Sequence, residues 1–185
     1  MKKEKVAYPS VWHGLKPAEF RRYRSWVNRE KPGICGTYVS MALLDYLFRT
    51  FYHTEIKKEV LLTGLRNPIE KGLPYRGTFP WDLARGINRA LKGVPEFHAS
   101  MGLVPDVGVI KELSRENPLP VAVGTTALLG SPYKNHWVLV YAYGWNEEGK
   151  LFFKAYDNHG THIAVIPASQ TFGYVYLKET KEETE

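Results

Sequence analysis

The hydrophobic period changes halfway along the chain, and that change narrows the possible folds more than any other feature. Over residues 36–53 the apolar side chains Val39, Met41, Ala42, Leu43, Tyr46, Leu47 and Phe51 cover more than one helical face, which predicts a buried helix. Shorter helices are expected over residues 17–26, where Phe20, Tyr23 and Trp26 recur at helical spacing, and over residues 57–65. Thr78-Phe79-Pro80-Trp81-Asp82 reads as a helix entry, with Thr78 as the cap and Pro80 in the first turn. Leu83, Ile87, Ala90 and Leu91 give that helix one apolar face, and Gly93 stops it. A further short helix fits residues 106–116. The chain then turns to short runs rich in Val, Ile, Tyr, Phe and Thr, at 119–125, 137–143, 151–156, 161–166 and 172–177. Asn146-Glu147-Glu148-Gly149 is a hairpin turn between the second and third of them. Helices followed by a meander of antiparallel strands make an α+β fold, in which both halves share one interface.

The 185 residues suit one domain with a real core. A hydrophobic share of 44% against 24% charged excludes disorder, collagen and coiled coil for the whole chain. No repeat or Pro/Gly-rich linker divides it, so the domain is read as residues 28–177. Residues 1–27 form a basic arm and helix of the same domain, and the polar residues 178–185 a flexible tail. The net charge of +6 resides in the first 31 residues, which hold nine Lys/Arg against three Asp/Glu. The remainder is formally neutral, which argues against nucleic acid as a partner. The Lys2-Lys3-Glu4-Lys5 start and the Arg21-Arg22-Tyr23-Arg24 segment could touch an acidic surface, or form an ordinary solvated face. No apolar stretch approaches the roughly 18–20 residues that span a bilayer. No secretory signal opens the chain, so the expected location is the cytoplasm, or outside the cell if a leader has been removed.

A single cysteine, Cys35, excludes an internal disulfide and a multi-cysteine zinc site. It opens the strongest helix after the Pro32-Gly33 break. There the helix dipole and free N–H groups favour thiolate, and Gly36 lets a substrate come close. A thiol in that place is either inert core or a nucleophile, and a base decides between the two. Among six histidines, His13, His53 and His98 stand apart from other polar chemistry. His136 opens the most apolar strand, Trp137-Val138-Leu139-Val140-Tyr141, where a rigid backbone can position a base. Folding back the 146–149 hairpin brings Tyr156-Asp157-Asn158 beside it, so Asp157 or Asn158 can orient the imidazole. The same pair with Gly160 also suits a turn.

An ordered set of segments carries a resemblance. It comprises Gly33-Ile34-Cys35-Gly36 at a helix start, Gly77-Thr78-Phe79-Pro80-Trp81-Asp82-Leu83-Ala84 before a second helix, Pro120-Val121-Ala122-Val123, His136-Trp137-Val138-Leu139-Val140, and Tyr156-Asp157-Asn158. Together, over residues 28–176, they resemble a papain-fold cysteine peptidase, and within that group the stand-alone bacterial members of the bacteriocin-processing (double-glycine leader) peptidase-like family. The resemblance implies a papain-like fold with N-terminal helices packed on a C-terminal antiparallel sheet. It implies Cys35 as nucleophile, His136 as general base and acid, and Asp157 as orienter, with Asn158 the alternative. The family places a glutamine before the cysteine as oxyanion donor. Here the only glutamine is Gln170, and Asn28 is the nearest amide, one position off and a methylene shorter.

The expected activity is hydrolysis of a peptide or amide bond through a thioester acyl-enzyme, with a peptide or protein substrate and no cofactor. Two other readings stay open: a papain-fold peptide-binding module without turnover, and a cell-wall peptide amidase. His159 and His162 near Asp157 lack an independent third ligand, so a metal site is not expected. Gly124-Thr125-Thr126 and Gly144-Trp145 lack the context of a phosphate loop.

Overall fold

The architecture comes from a computed structural model describing residues 6–30, 33–75 and 77–180. It has four α-helices and seven strands among those residues. The helices are α1 (Cys35–Phe51), α2 (Lys58–Glu70), α3 (Pro80–Ala90) and α4 (Pro105–Leu113). The strands are β1 (His13–Gly14), β2 (Phe97–Gly102), β3 (Val121–Thr125), β4 (His136–Trp145), β5 (Leu151–Tyr156), β6 (Ala164–Pro167) and β7 (Thr171–Glu179). The fold is α+β, as the change of period requires.

The sheet is antiparallel throughout, in the order β2-β7-β3-β4-β5-β6, with β1 beside the far half of β4. It is therefore not a simple meander. Strands β3 to β6 follow one another, but β7 returns across the sheet to lie between β3 and β2. Strand β2 precedes α4 and was not expected from the sequence, although Phe97, Ala99 and Met101 alternate with His98, Ser100 and Gly102 at strand period. Strand β7 extends to Glu179, two residues into the segment read as a tail, because β2 offers it partners through the Phe97–Glu179 pair. Residues 181–185 lie outside the described residues, as does the Lys2–Lys5 part of the basic arm.

Two apolar clusters cover the two faces of the sheet. Helix α1 is buried continuously over residues 36–47 and packs with α2 and α3 on one face, against Trp137, Leu139 and Tyr141 of β4. Helix α4 covers Val138 and Val140 on the other. Such alternation along a strand buried on both faces explains why β4 reads as an unbroken apolar run.

Residues Pro17–Ser25 form a 3-10 helix, whose three-residue turn brings Phe20 and Tyr23 onto one buried side. Phe20 stacks between Tyr46 of α1 and Tyr141 of β4, with ring centroids 5.1 and 4.2 Å away. The Tyr23 hydroxyl donates to the buried Asp45 of α1 at 2.7 Å, and Arg49 Nε donates to the same carboxylate at 3.0 Å. The N-terminal segment thus clamps α1 to the sheet and fixes where Cys35 falls.

Helix α3 begins at Pro80, but Thr78 does not cap it. The Asp82 carboxylate accepts from Phe79 N at 3.0 Å and from the Tyr75 hydroxyl, so the first turn caps itself. Thr78 works instead through its carbonyl, which accepts from the Trp137 indole at 3.0 Å. The 146–149 turn forms as expected, with Asn146 Oδ1 accepting from Glu148 N and Lys150 N, and Gly149 at φ 74°. Among the described residues no helix is long and apolar enough to cross a membrane.

Candidate active site

Cys35 is the first residue of α1 and lies against the start of β4. The backbone N–H of Trp137, the residue after His136, faces its sulfur, as do those of Gly36 and Cys35 itself. Burial pushes the thiol pKa up. The Trp137 N–H works against this rise, whereas the Glu70 carboxylate adds to it. Burial outweighs the helix-terminal effect expected from the sequence. Gly36 is required by close approach: a Cβ there would stand 2.6 Å from Thr78 Oγ1 and 3.2 Å from Leu83 Cδ1.

Glu70, the last residue of α2, had no sequence signal. It accepts from Thr37 Oγ1 at 2.8 Å, and burial raises its own pKa. Its charge disfavours thiolate next to it. Glu70→Gln is therefore expected to raise the rate of Cys35 alkylation by iodoacetamide at pH 7 by about two- to fivefold. An unchanged rate would show that the carboxylate does not act on the thiol.

His136 is 7% exposed, at the start of β4 where it pairs with Thr125. Its Nε2 lies 2.7 Å from the main-chain oxygen of Asp157. A carbonyl oxygen only accepts, so Nε2 carries the proton, and Nδ1 is left as the basic nitrogen. Burial pulls the pKa of His136 down to about 4. The Asp157 carbonyl opposes the shift, and His159, with its ring centroid 4.2 Å away, strengthens it. The imidazole is therefore neutral at pH 7. No hydrogen bond joins it to the Cys35 thiol; the resting pair is thiol and neutral imidazole.

Asp157 is where expected, but its carboxylate does not hold the ring. Oδ1 accepts from His159 N at 2.9 Å and Thr161 N at 3.0 Å, and Oδ2 accepts from the Tyr133 hydroxyl at 2.9 Å. A short side chain at the end of a strand meets the N–H groups of its own turn first, so the turn reading holds for the carboxylate. Asn158, the alternative orienter, does not hold the ring either. It is fully buried at φ 48°, a left-handed conformation that asparagine tolerates, and its Nδ2 donates to Trp137 O at 2.9 Å. Its Oδ1 is buried without a partner.

Asn28 also reaches the site but in a different role from the expected one. The N–H groups of Ile34 and Cys35 converge on its side-chain amide; two donors call for an acceptor, so Oδ1 is assigned there, 3.0 and 3.2 Å from them, rather than 3.3 Å from Glu30 N as in the opposite amide orientation. The amide oxygen thus caps α1, and the Cys35 N–H is engaged by it rather than left free for an oxyanion. Asn28 N donates to Asn158 O at 2.9 Å, tying the segment before α1 to the β5 end.

Tyr133 was overlooked in the sequence. Its ring stacks on His136 with centroids 5.5 Å apart and planes at 11°. The signal available was an aromatic residue three positions before the candidate base. Tyr75, Phe79 and Trp81 make an exposed aromatic group beside Thr78; Phe79 and Trp81 stack at 4.7 Å. His159 and His162 do not converge on a metal ligand set, and no group of three or more His, Cys, Asp or Glu does so among the described residues.

No protein-family model matches the chain, and no curated protein matches it. Among solved structures it is similar to the bromelain protease from Ananas comosus, determined in complex with the E64 inhibitor. That similarity has a TM-score of 0.48 and 12% sequence identity, and covers 78% of this chain and 88% of the other.

Proposed function

We propose that the protein is a papain-like thiol hydrolase acting on a peptide or protein, with Cys35 as nucleophile and His136 as general base. The observation that carries this reading is the position of the Cys35 sulfur, at the start of α1 and against the Trp137 N–H, one residue from an imidazole whose Nδ1 is unprotonated. In the reaction His136 Nδ1 takes the thiol proton as sulfur attacks the amide carbonyl. The N–H groups of Gly36 and Trp137 that face the sulfur supply donors for the oxyanion. The C–N bond then breaks, and Nδ1–H gives its proton to the leaving amine. A water molecule next passes a proton to Nδ1 and attacks the thioester, and the proton returns to the sulfur as the acid product leaves. Tyr75, Phe79 and Trp81 offer an apolar wall for the substrate.

The test combines a fluorogenic peptide library with iodoacetamide labelling of Cys35 across pH, for wild type, Cys35→Ser and His136→Gln. Hydrolysis lost in both variants, with labelling slowed in His136→Gln, is the expected outcome. A thiol that reacts equally with and without His136 would sink the dyad. A second reading, a peptide-binding module without turnover, is favoured by one observation: the Asn28 oxygen already engages the Cys35 N–H. Saturable peptide binding without hydrolysis would select it.

A further inference from the structure

Three observations meet at the imidazole. Its Nε2–H donates to the Asp157 carbonyl at 2.7 Å, the Asp157 carboxylate is committed to three other donors, and one of these donors is the hydroxyl of Tyr133, whose ring lies flat against the imidazole. We infer that the third member of this site is the main-chain carbonyl of Asp157, and that Tyr133 and the Asp157 carboxylate are positioning residues that hold this carbonyl on His136.

The inference rests on the reading of Cys35 and His136 as the acting pair, and it assigns the side chains differently from a Cys-His-Asp triad. The chain turns sharply after β5. Asp157 N donates to Thr161 O at 3.1 Å, and Oδ1 closes the same turn by accepting from the N–H groups of residues 159 and 161. The turn fixes the Asp157 peptide, and hence the direction of its carbonyl. Oδ2 is left for Tyr133, which sits in the loop before β4. Tyr133 therefore ties the loop preceding His136 to the turn that holds its partner, with its ring plane parallel to the imidazole. A carbonyl can only accept, so it selects the Nε2–H tautomer as firmly as a carboxylate would. Unlike a carboxylate it brings no full charge, so the imidazole stays a neutral base.

The experiment compares Asp157→Asn, Asp157→Ala, Tyr133→Phe and Tyr133→Leu with wild type, reading the histidine tautomer by nitrogen-15 NMR and peptide hydrolysis as kcat and KM separately. An asparagine at 157 can still accept from residues 159 and 161 and donate to the Tyr133 oxygen, so Asp157→Asn should stay within about threefold of wild-type kcat and keep the Nε2–H tautomer. Asp157→Ala and Tyr133→Leu should lower kcat by about tenfold or more with little change in KM, and mix the tautomers. Tyr133→Phe, which keeps the stacked ring, should fall between. The inference is overturned if Asp157→Asn loses as much as Asp157→Ala, or if wild-type His136 carries its proton on Nδ1. The tautomer is read without substrate. A protein with the expected tautomers but no hydrolysis would therefore sink the hydrolase reading and leave this assignment standing.

Discussion

His136→Gln is expected to lower kcat/KM for peptide hydrolysis on the order of 10²–10⁴-fold, the usual contribution of a positioned general base. The pH profile should carry the mark of the buried ring. A base must be neutral to take the thiol proton, and burial holds the pKa of His136 at about 4 rather than the ordinary 6.5. The acid limb of kcat/KM in wild type should therefore fall near pH 4, with activity retained at pH 5.5, where an exposed histidine would be mostly protonated. A limb centred near 6.5 would mean that His136 is solvated in the acting state, or that another histidine is the base. The thiol pKa is raised, so no pre-formed thiolate–imidazolium pair is available. Rate should then depend on proton transfer during attack, and a solvent deuterium isotope effect on kcat above about twofold should accompany it.

The same residue should also make the fold sensitive to acid. Its pKa is about 4 folded and 6.5 unfolded, so between these values the unfolded chain binds more protons. Stability then rises with pH through this window and is lost as pH falls through it, approaching about 3 kcal/mol by pH 4. His162, lowered chiefly by burial and further by Arg21 and Arg24, acts in the same direction. Urea unfolding at pH 7 and pH 4.5 checks this. The difference between the two pH values should shrink in His136→Gln by most of that amount, while the denaturant slope stays unchanged. An equal pH dependence in both proteins would show that the imidazole is not buried in solution. The two predictions oppose each other in practice, because the burial that keeps the base neutral down to pH 4 also weakens the fold there.

Much of the architecture is legible in the amino-acid sequence. The 36–53 helix, the 80–90 helix and the apolar strand after His136 all follow from side-chain periodicity, which records how many faces of an element are buried. Strand β2 was overlooked although Phe97, Ala99 and Met101 alternate with polar residues; what was not legible was its pairing, because β7 lies some seventy-five residues away. Thr78 looked like a cap by residue type, but the helix starts one residue later, and the Asp82 carboxylate, from inside the first turn, reaches back to Phe79 N–H. Glu70 was invisible because it acts on the site across a tertiary contact and has no neighbour in sequence that hints at it, whereas the only hint of Tyr133 was its place three residues before His136.

The sequence by itself determined the α+β class, the placing of the one thiol at a helix start, and the histidine and Asp-Asn pair at neighbouring strand ends. These follow from local propensity and from the reach of a short hairpin, which are properties of adjacent residues. Only the tertiary structure decided what each group does there. Burial raised the thiol and lowered the imidazole, the Asn28 side chain came to meet the start of α1, and the atom of Asp157 that meets the imidazole is its carbonyl rather than its carboxylate. Desolvation and hydrogen-bond competition depend on every neighbour a polar atom meets, and those neighbours are brought together only when α1, β4 and the turn after β5 pack against one another.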